Sequence, residues 1–252
     1  MNRVLIALTV ALVGIGQAIP TMAADKPRAF LELFTSQGCA SCPAADSLIG
    51  EFAERPGVIA VTMPVKLWDF LGWADTLASD DLTKRQIAYS VSRGDRDVFT
   101  PQLVVNGKTS VLGSDRAAIR QAIRRSEGLP LPISLAASGG VLSVSIPETQ
   151  IEAEKASLWL LVVEKEVTVP IASGENRGRK LTYHNVVRHI RPIGMWKKGE
   201  ALSLDLPLAD QERHALLGCM VIAQEESFKG PGRIIGAASL DAMFPARTAD
   251  PR

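Results

Sequence analysis

Histidine and cysteine are scarce, with three of each in 252 residues. That supply restricts metal chemistry: beside Cys39 and Cys42, a tetrahedral zinc site would have to draw on Cys219, His184, His189 or His214, all far along the chain. His184 and His189 are separated by an odd interval, so on one strand they point to opposite sides and do not share an ion. An excess of one charge is also missing. There are 28 Lys and Arg against 27 Asp and Glu, and without Arg3 the balance is even. The basic field of a nucleic-acid binder and the basic cluster drawn to anionic membranes are therefore absent. No internal repeat, low-complexity segment, Ser-His-Asp arrangement or carboxylate pair stands out, and no apolar run beyond the N-terminus reaches the length of a membrane span.

Hydrophobic residues make up 46% and charged residues 22% of the chain, a balance with ample material for a buried core. The first residues read as a signal peptide. Arg3 gives a short basic start, Val4 to Ile19 is an uncharged apolar run, Pro20 breaks it, and Thr21-Met22-Ala23 supplies small residues ahead of cleavage after Ala23 or Ala24. The expectation is a mature protein in the periplasm or outside the cell, with no membrane association once residues 1–24 are removed. In such an oxidising compartment a Cys-x-x-Cys pair can hold a disulfide.

From Ala29 to Phe34 the chain alternates as a strand and runs into Cys39-Ala40-Ser41-Cys42-Pro43. Ala45, Leu48, Ile49 and Phe52 then share a helical face until Arg55-Pro56-Gly57 stops it. Residues 58–65 read as a buried strand and 80–93 as a helix ending near Gly94. Residues 102–105 and 109–112 are strands joined by the hairpin turn Asn106-Gly107, and Ser114 or Asp115 caps a last helix through Ile119 and Ile123. The order β-α-β-α-β-β-α is that of the thioredoxin fold. At Gly128-Leu129-Pro130-Leu131-Pro132 the composition changes, and beyond it strands are expected at 133–137, 141–146, 157–165, 184–191, 201–205 and 216–224. The expected organisation is a signal peptide over 1–24, an α/β thioredoxin-like domain over 25–128, a smaller mainly-β, sandwich-like domain over 129–246 and a tail over 247–252.

The position of the cysteines, where a strand hands over to a helix, carries the chemistry. A helix N-terminus offers unpaired N–H groups and a partial positive charge, both of which stabilise a thiolate. Cys39 at the entry becomes the attacking thiol, and Cys42, a turn further in, resolves the mixed disulfide. Pro43 fits the first turn, where its missing N–H costs little, and stands where a c-type haem motif would need His. Thr100-Pro101 opens a strand later in the chain. In thioredoxin-like proteins a cis proline at this point faces the cysteines and leaves a backbone edge for a substrate peptide. A structural bridge and half of a metal site are the other readings of the pair.

The run Leu31-Glu32-Leu33-Phe34-Thr35-Ser36-Gln37-Gly38-Cys39-Ala40-Ser41-Cys42-Pro43-Ala44-Ala45-Asp46 closely resembles a secreted family catalogued as domain of unknown function 1223. Leu67-Trp68-Asp69-Phe70-Leu71-Gly72-Trp73, Thr100-Pro101-Gln102, Val104-Val105-Asn106-Gly107 and Gly113-Ser114-Asp115-Arg116 extend the likeness over essentially the whole mature chain. The resemblance implies a thioredoxin-like domain followed by a β-rich one and brings no known substrate. This chain has Lys66-Leu67 where the family pattern leads one to expect an acidic residue and an aromatic.

Trp68, Asp69 and Trp73 follow a central strand and are candidates, with Thr100, for a substrate wall beside the cysteines; packing is the alternative for both tryptophans, and helix capping for Asp69. Glu175-Asn176-Arg177-Gly178-Arg179-Lys180 and Tyr183-His184-Asn185 make a polar, basic stretch between strands that reads as a solvated hairpin tip or as a contact for a partner or anion. Cys219 sits in an apolar strand and reads as a small buried hydrophobe. The functional expectation is an exported thiol–disulfide oxidoreductase with Cys39, Cys42 and Pro101 at its centre, no cofactor or metal, and a protein thiol or disulfide as partner. The alternatives are a binding module that carries a soft metal such as copper, for which Met63 is the one local ligand candidate, and a partner-binding protein with a structural disulfide.

Overall fold

Strand β1 (Ala29–Thr35) is buried along its whole length, and its two faces serve two different cores. In the computed structural model, which describes residues 26–209 and 217–240, Ala29, Leu31 and Leu33 pack with Ala45, Leu48, Ile49 and Phe52 of helix α1 (Cys42–Ala53) and with Ile119 and Ala122 of α3 (Arg116–Arg125). The alternate residues Phe30 and Phe34 turn to Leu82 and Tyr89 of α2 (Asp80–Arg93). This follows from the period of two along a strand. Each buried phenylalanine contributes roughly 1.5–3 kcal/mol.

Strand β2 (Val58–Pro64) lies parallel to β1, and β3 (Gln102–Val105) and β4 (Thr109–Leu112) continue the sheet antiparallel on the other side. A 3-10 turn, Lys66–Leu71, leads from β2 toward α2. Asn106 and Gly107 take positive φ in the β3–β4 turn, as such hairpins require. Asp115 caps α3 through Ala117 N and Ala118 N, both at 2.9 Å. The thioredoxin-like order expected for residues 25–128 is the order observed.

Past residue 129 come β5 (Ser134–Ser138), β6 (Val141–Ile146), the long hairpin β7 (Lys155–Pro170) and β8 (Lys180–Lys197), then β9 (Leu202–Pro207), β10 (Leu217–Ser227) and β11 (Gly230–Leu240). Strands β7, β8, β10 and β11 do not form a sheet of their own: the eight-stranded sheet runs β11-β10-β7-β8-β2-β1-β3-β4. The seam is the parallel pairing of Thr62 with Val186, with Thr62 Oγ1 donating to His184 O at 2.7 Å and Asn185 Nδ2 to Ala60 O at 2.9 Å. A sandwich is present too, since the three-stranded sheet β5-β6-β9 packs Leu142 and Val144 against Leu160, Val162, Cys219 and Val221. Its larger layer is the sheet that also carries β1.

Strand β11 had no counterpart among the expected strands, because Gly230 and Gly232 make its start read as a turn. Phe30 and Phe34 share their core with Leu161, Val163, Val187, Met220, Ile222 and Ile234. A β-rich region after residue 129 is therefore present, and it shares both sheet and core with the first. Residues 1–24, expected as a signal peptide, the expected tail at 247–252 and His214 lie outside the described residues. Among the described residues no helix is long and apolar enough to cross a membrane.

Candidate functional site: the cysteine pair and its cover

Strand β1 ends at Thr35, and the chain turns through Ser36–Ser41 into α1, setting Cys39 ahead of the helix and Cys42 at its first position. The two are joined as a disulfide with Cα atoms 5.4 Å apart. Turn hydrogen bonds from Cys39 N to Ser36 O and from Cys42 N to Cys39 O, at 3.1 and 3.2 Å, fix the loop. Cys42 is fully buried and Cys39 is 6% exposed, so the first cysteine is the more accessible of two buried residues. The Thr100–Pro101 peptide is cis, and Thr100 O lies 3.7 Å from Cys39 Sγ. Pro101 O accepts from Gly113 N at 2.9 Å, and Ser41 Oγ stands 3.4 Å from Cys39 Sγ.

The two tryptophans frame this loop. Trp68 Nε1 donates to Thr100 Oγ1 at 2.6 Å, and a Cβ added at Gly38 would stand 3.1 Å from Trp68 Cβ. Glycine is therefore what lets the 3-10 turn close on the cysteine loop. Trp73 Nε1 donates to Gln37 Oε1 at 2.8 Å. Both rings are half-buried, with a packing role and a free face. Asp69 Oδ1 accepts from Asp75 N at 3.0 Å, which makes it a turn-forming residue of this segment. Phe70 beside it is largely exposed.

A second layer comes from the β-rich region. The loop between β7 and β8 lies on the cysteines. Asn176, buried, donates from Nδ2 to Gln37 O and to Cys39 O, each at 2.9 Å, and its Oδ1 accepts from Arg179 Nη1 at 2.9 Å. Glu175 Oε2 accepts from Ala40 N at 3.2 Å. Both polar groups of the Cys39–Ala40 peptide are thus taken by one loop. Ser173 Oγ donates to Gly72 O at 2.6 Å, and Gly174, at positive φ, packs where a Cβ would stand 3.1 Å from Trp73 Cβ. The first part of the stretch that reads as a hairpin tip is one, folded back over the redox pair.

Beneath the pair lie carboxyl groups that sequence reasoning passed over. Asp46 follows Cys42 by four residues, so the two share a helix face, and its side chain leans toward the helix N-terminus. It is buried, its oxygens make no well-formed hydrogen bond beyond a marginal one with Thr35 Oγ1, and Tyr183 OH has no partner. Burial pushes the Asp46 carboxyl up to about 8, with Thr35 beside it tempering the rise and the charge of Asp75 adding to it. Asp75 is raised to about 6 by burial, against hydrogen bonds from Gln37 N and Leu77 N. Burial also raises the Tyr183 hydroxyl, and Asp46 and Asp75 raise it further. The i, i+4 spacing of Cys42 and Asp46 is the signal that could have found this cluster. Tyr183 falls in the polar stretch that reads as a hairpin tip, and nothing local in the sequence marks it as a neighbour of Asp46.

Met63 is packed in the apolar core with Phe34, Val65 and Leu82. Among the described residues no group of three or more His, Cys, Asp or Glu side chains gathers as a metal site. Cys219 is buried in the sandwich core. A cavity of 610 Å³ between α2 and the β10–β11 hairpin is lined by Lys84, Arg85, Trp159, Ile190, Gln224 and Pro231 among others, and by none of the cysteine-site residues.

A disulfide at the mouth of a helix, beside a cis proline on a β-α-β-α-β-β-α frame, defines a thioredoxin-like protein with a thiol–disulfide site. The chain belongs to the family described as "Protein of unknown function (DUF1223)", whose model matches residues 30–224. It is similar to a "Probable Thioredoxin" of Archaeoglobus fulgidus, 31% identical over 99 residues that cover 39% of this chain and 89% of the relative. It is also similar to the X-ray crystal structure of a protein from Agrobacterium tumefaciens, with 31% identity, a TM-score of 0.75, and coverage of 86% of this chain and 95% of that one. The first likeness is confined to a thioredoxin-sized stretch. The second spans both regions.

Proposed function

We propose that this protein is an exported thiol–disulfide oxidoreductase acting on protein thiols or disulfides. The observation that carries the reading is the asymmetric Cys39–Cys42 disulfide beside a cis proline, with Cys42 fully buried, Cys39 slightly exposed and its sulfur 3.7 Å from Thr100 O. In the oxidising direction a substrate thiolate attacks Cys39 Sγ, the disulfide breaks, and Cys42 leaves as a thiolate that takes up a proton. A second substrate thiolate then attacks the mixed disulfide, forms the substrate's disulfide and expels Cys39, so two electrons pass to the pair. The reducing direction is the same sequence run backward. Trp68 and Trp73 supply apolar surface near the attacked cysteine, and the backbone of Thr100, held in place by cis Pro101, offers an edge to an extended segment. Export into an oxidising compartment accords with the apolar N-terminus and with a disulfide at the site.

The low exposure of Cys39 supports a second reading, a partner-binding protein whose bridge is structural. Titrating the pair in the purified mature protein against thiol buffers separates them. A reversible couple between roughly −120 and −270 mV is expected for the oxidoreductase. A bridge that resists reduction below roughly −300 mV would overturn it in favour of the structural reading.

A further inference from the structure

The β7–β8 loop meets the cysteine site at the peptide that follows the accessible sulfur. Asn176 holds the carbonyl of Cys39, and Glu175 holds the N–H of Ala40. Asn176 is 1% exposed and also holds Gln37 O, so it is the anchor, and the more exposed Glu175 is what the anchor delivers. A carboxylate at this point sits immediately ahead of Ser41, the N-cap of α1. The helix field there favours one negative charge. With the disulfide closed, that charge is Glu175. Once the disulfide opens, Cys39 competes for the same field, and two negative charges flank one peptide.

We infer that Glu175 is a positioning residue for the proposed exchange reaction: seated by Asn176, its carboxylate opposes the Cys39 thiolate, so the loop covers the oxidised pair and is released by the reduced one. The inference rests on the oxidoreductase reading. Reduction by a donor dithiol runs through attack of one donor thiolate on Cys39 Sγ, loss of Cys42 as a thiolate that is protonated, and attack of the second donor thiolate on the mixed disulfide. The donor ends as its own disulfide and Cys39 is left as a thiolate. Binding of the loop and ionisation of Cys39 then oppose one another. The coupling is reciprocal, since whatever loosens the loop favours the thiolate and whatever seats the loop disfavours it. The other charged groups of the site are Asp46 in α1, Asp69 and Asp75 in the segment after β2, and Arg179 at the base of the loop, which is occupied with Asn176. All the carboxyls add to the repulsion when ionised, and Glu175 is the one on the cysteine peptide itself. Trp73 against Gly174 and Ser173 on Gly72 give the loop a second seat, so its release exposes apolar surface beside Cys39 when the thiolate forms.

Glu175→Gln tests the charge while keeping an oxygen that accepts from Ala40 N. The mature full-length protein and the variant are reduced with dithiothreitol, and alkylation of Cys39 by iodoacetamide is followed on its own peptide from pH 4 to 9. The expected result is a Cys39 titration lower in the variant by about half a pH unit, the scale of a charge at a helix terminus. In parallel, amide exchange of residues 173–179 at a pH where Cys39 is ionised is expected to be about threefold faster in the reduced than in the oxidised wild type, the reciprocal of that half-unit shift. An unmoved Cys39 titration, or loop protection independent of redox state, overturns the inference and leaves the oxidoreductase standing. A pair that does not exchange with thiols at all overturns both.

Discussion

On one face of β1, Glu32, Arg85, Tyr89 and Gln224 form a closed network. Arg85 Nε donates to Glu32 Oε1 at 2.6 Å and Tyr89 OH to Glu32 Oε2 at 2.6 Å, while Arg85 Nη2 and Gln224 Nε2 meet Gln224 Oε1 and Tyr89 OH at 3.0 and 2.8 Å. On the other face, Thr35, Asp46 and Tyr183 are equally buried, the Thr35–Asp46 hydrogen bond is marginal, and Tyr183 OH has no partner. Each cluster joins the two regions, through Gln224 in one case and Tyr183 in the other. The satisfied network lies away from the cysteines and acts as structure. The unsatisfied cluster lies one turn behind Cys42, where it holds a carboxyl that changes charge near neutral pH. Buried polar groups left unpaired cost free energy, so their concentration behind the redox pair marks where stability yields to chemistry.

The sharpest way to break the comparison is Arg85→Ala, which strands the Glu32 charge in the core. A loss of about 3–5 kcal/mol in urea unfolding at pH 7 is expected, and a loss under about 1 kcal/mol would remove the network from its structural role. Asp46 supplies the next effect through pH. Its folded value of about 8 lies above the ordinary 3.8, so between these limits the native state keeps a proton that the unfolded chain has released. The stability this proton contributes is fully present below pH 3.8 and is lost as pH rises toward 8, at a slope of about 1.4 kcal/mol per pH unit. Asp75 adds to the slope up to about 6. Asp46→Asn is expected to flatten the curve between pH 6 and 8, as read from unfolding midpoints, and an unchanged slope there would assign the titration elsewhere. The smallest effect separates two tyrosines. Tyr89→Phe removes a hydroxyl with three partners, Glu32, Arg85 and Gln224, and is expected to lose about 1–3 kcal/mol, whereas Tyr183→Phe removes one with none and is expected to stay within about 0.5 kcal/mol of the wild type.

The parts of the fold that were legible in the sequence are those specified locally. The stop of β1 before Gly38-Cys39, the amphipathic face Ala45-Leu48-Ile49-Phe52, the Asn106-Gly107 turn and the cap at Asp115 each state their structure within a few residues. What escaped is long-range. Strand β11 follows a glycine-rich start and earns its place by pairing with β10 along most of its length. The docking of β8 on β2 depends on Thr62 and Asn185, neither of which signals a partner more than a hundred residues away. At the site, Cys39, Cys42, Thr100 and Pro101 were readable from order and spacing. The cover by Glu175 and Asn176 was not, because a polar hairpin tip looks the same whether it meets water or folds back on its own protein.

The seam between β2 and β8 bears on whether the cysteine-bearing stretch is a portable cassette. Cut away after residue 128, it would present the β2 backbone as an open edge, a template for pairing with other chains. It would also strip from Phe30, Phe34 and Val61, fully buried in the intact protein, the cover of Leu161, Val187 and Ile222, and leave a partly exposed apolar face. The redox half of this molecule is therefore grafted into its neighbour rather than appended to it, and a transplant of the cysteine motif would have to carry the long β-hairpin along.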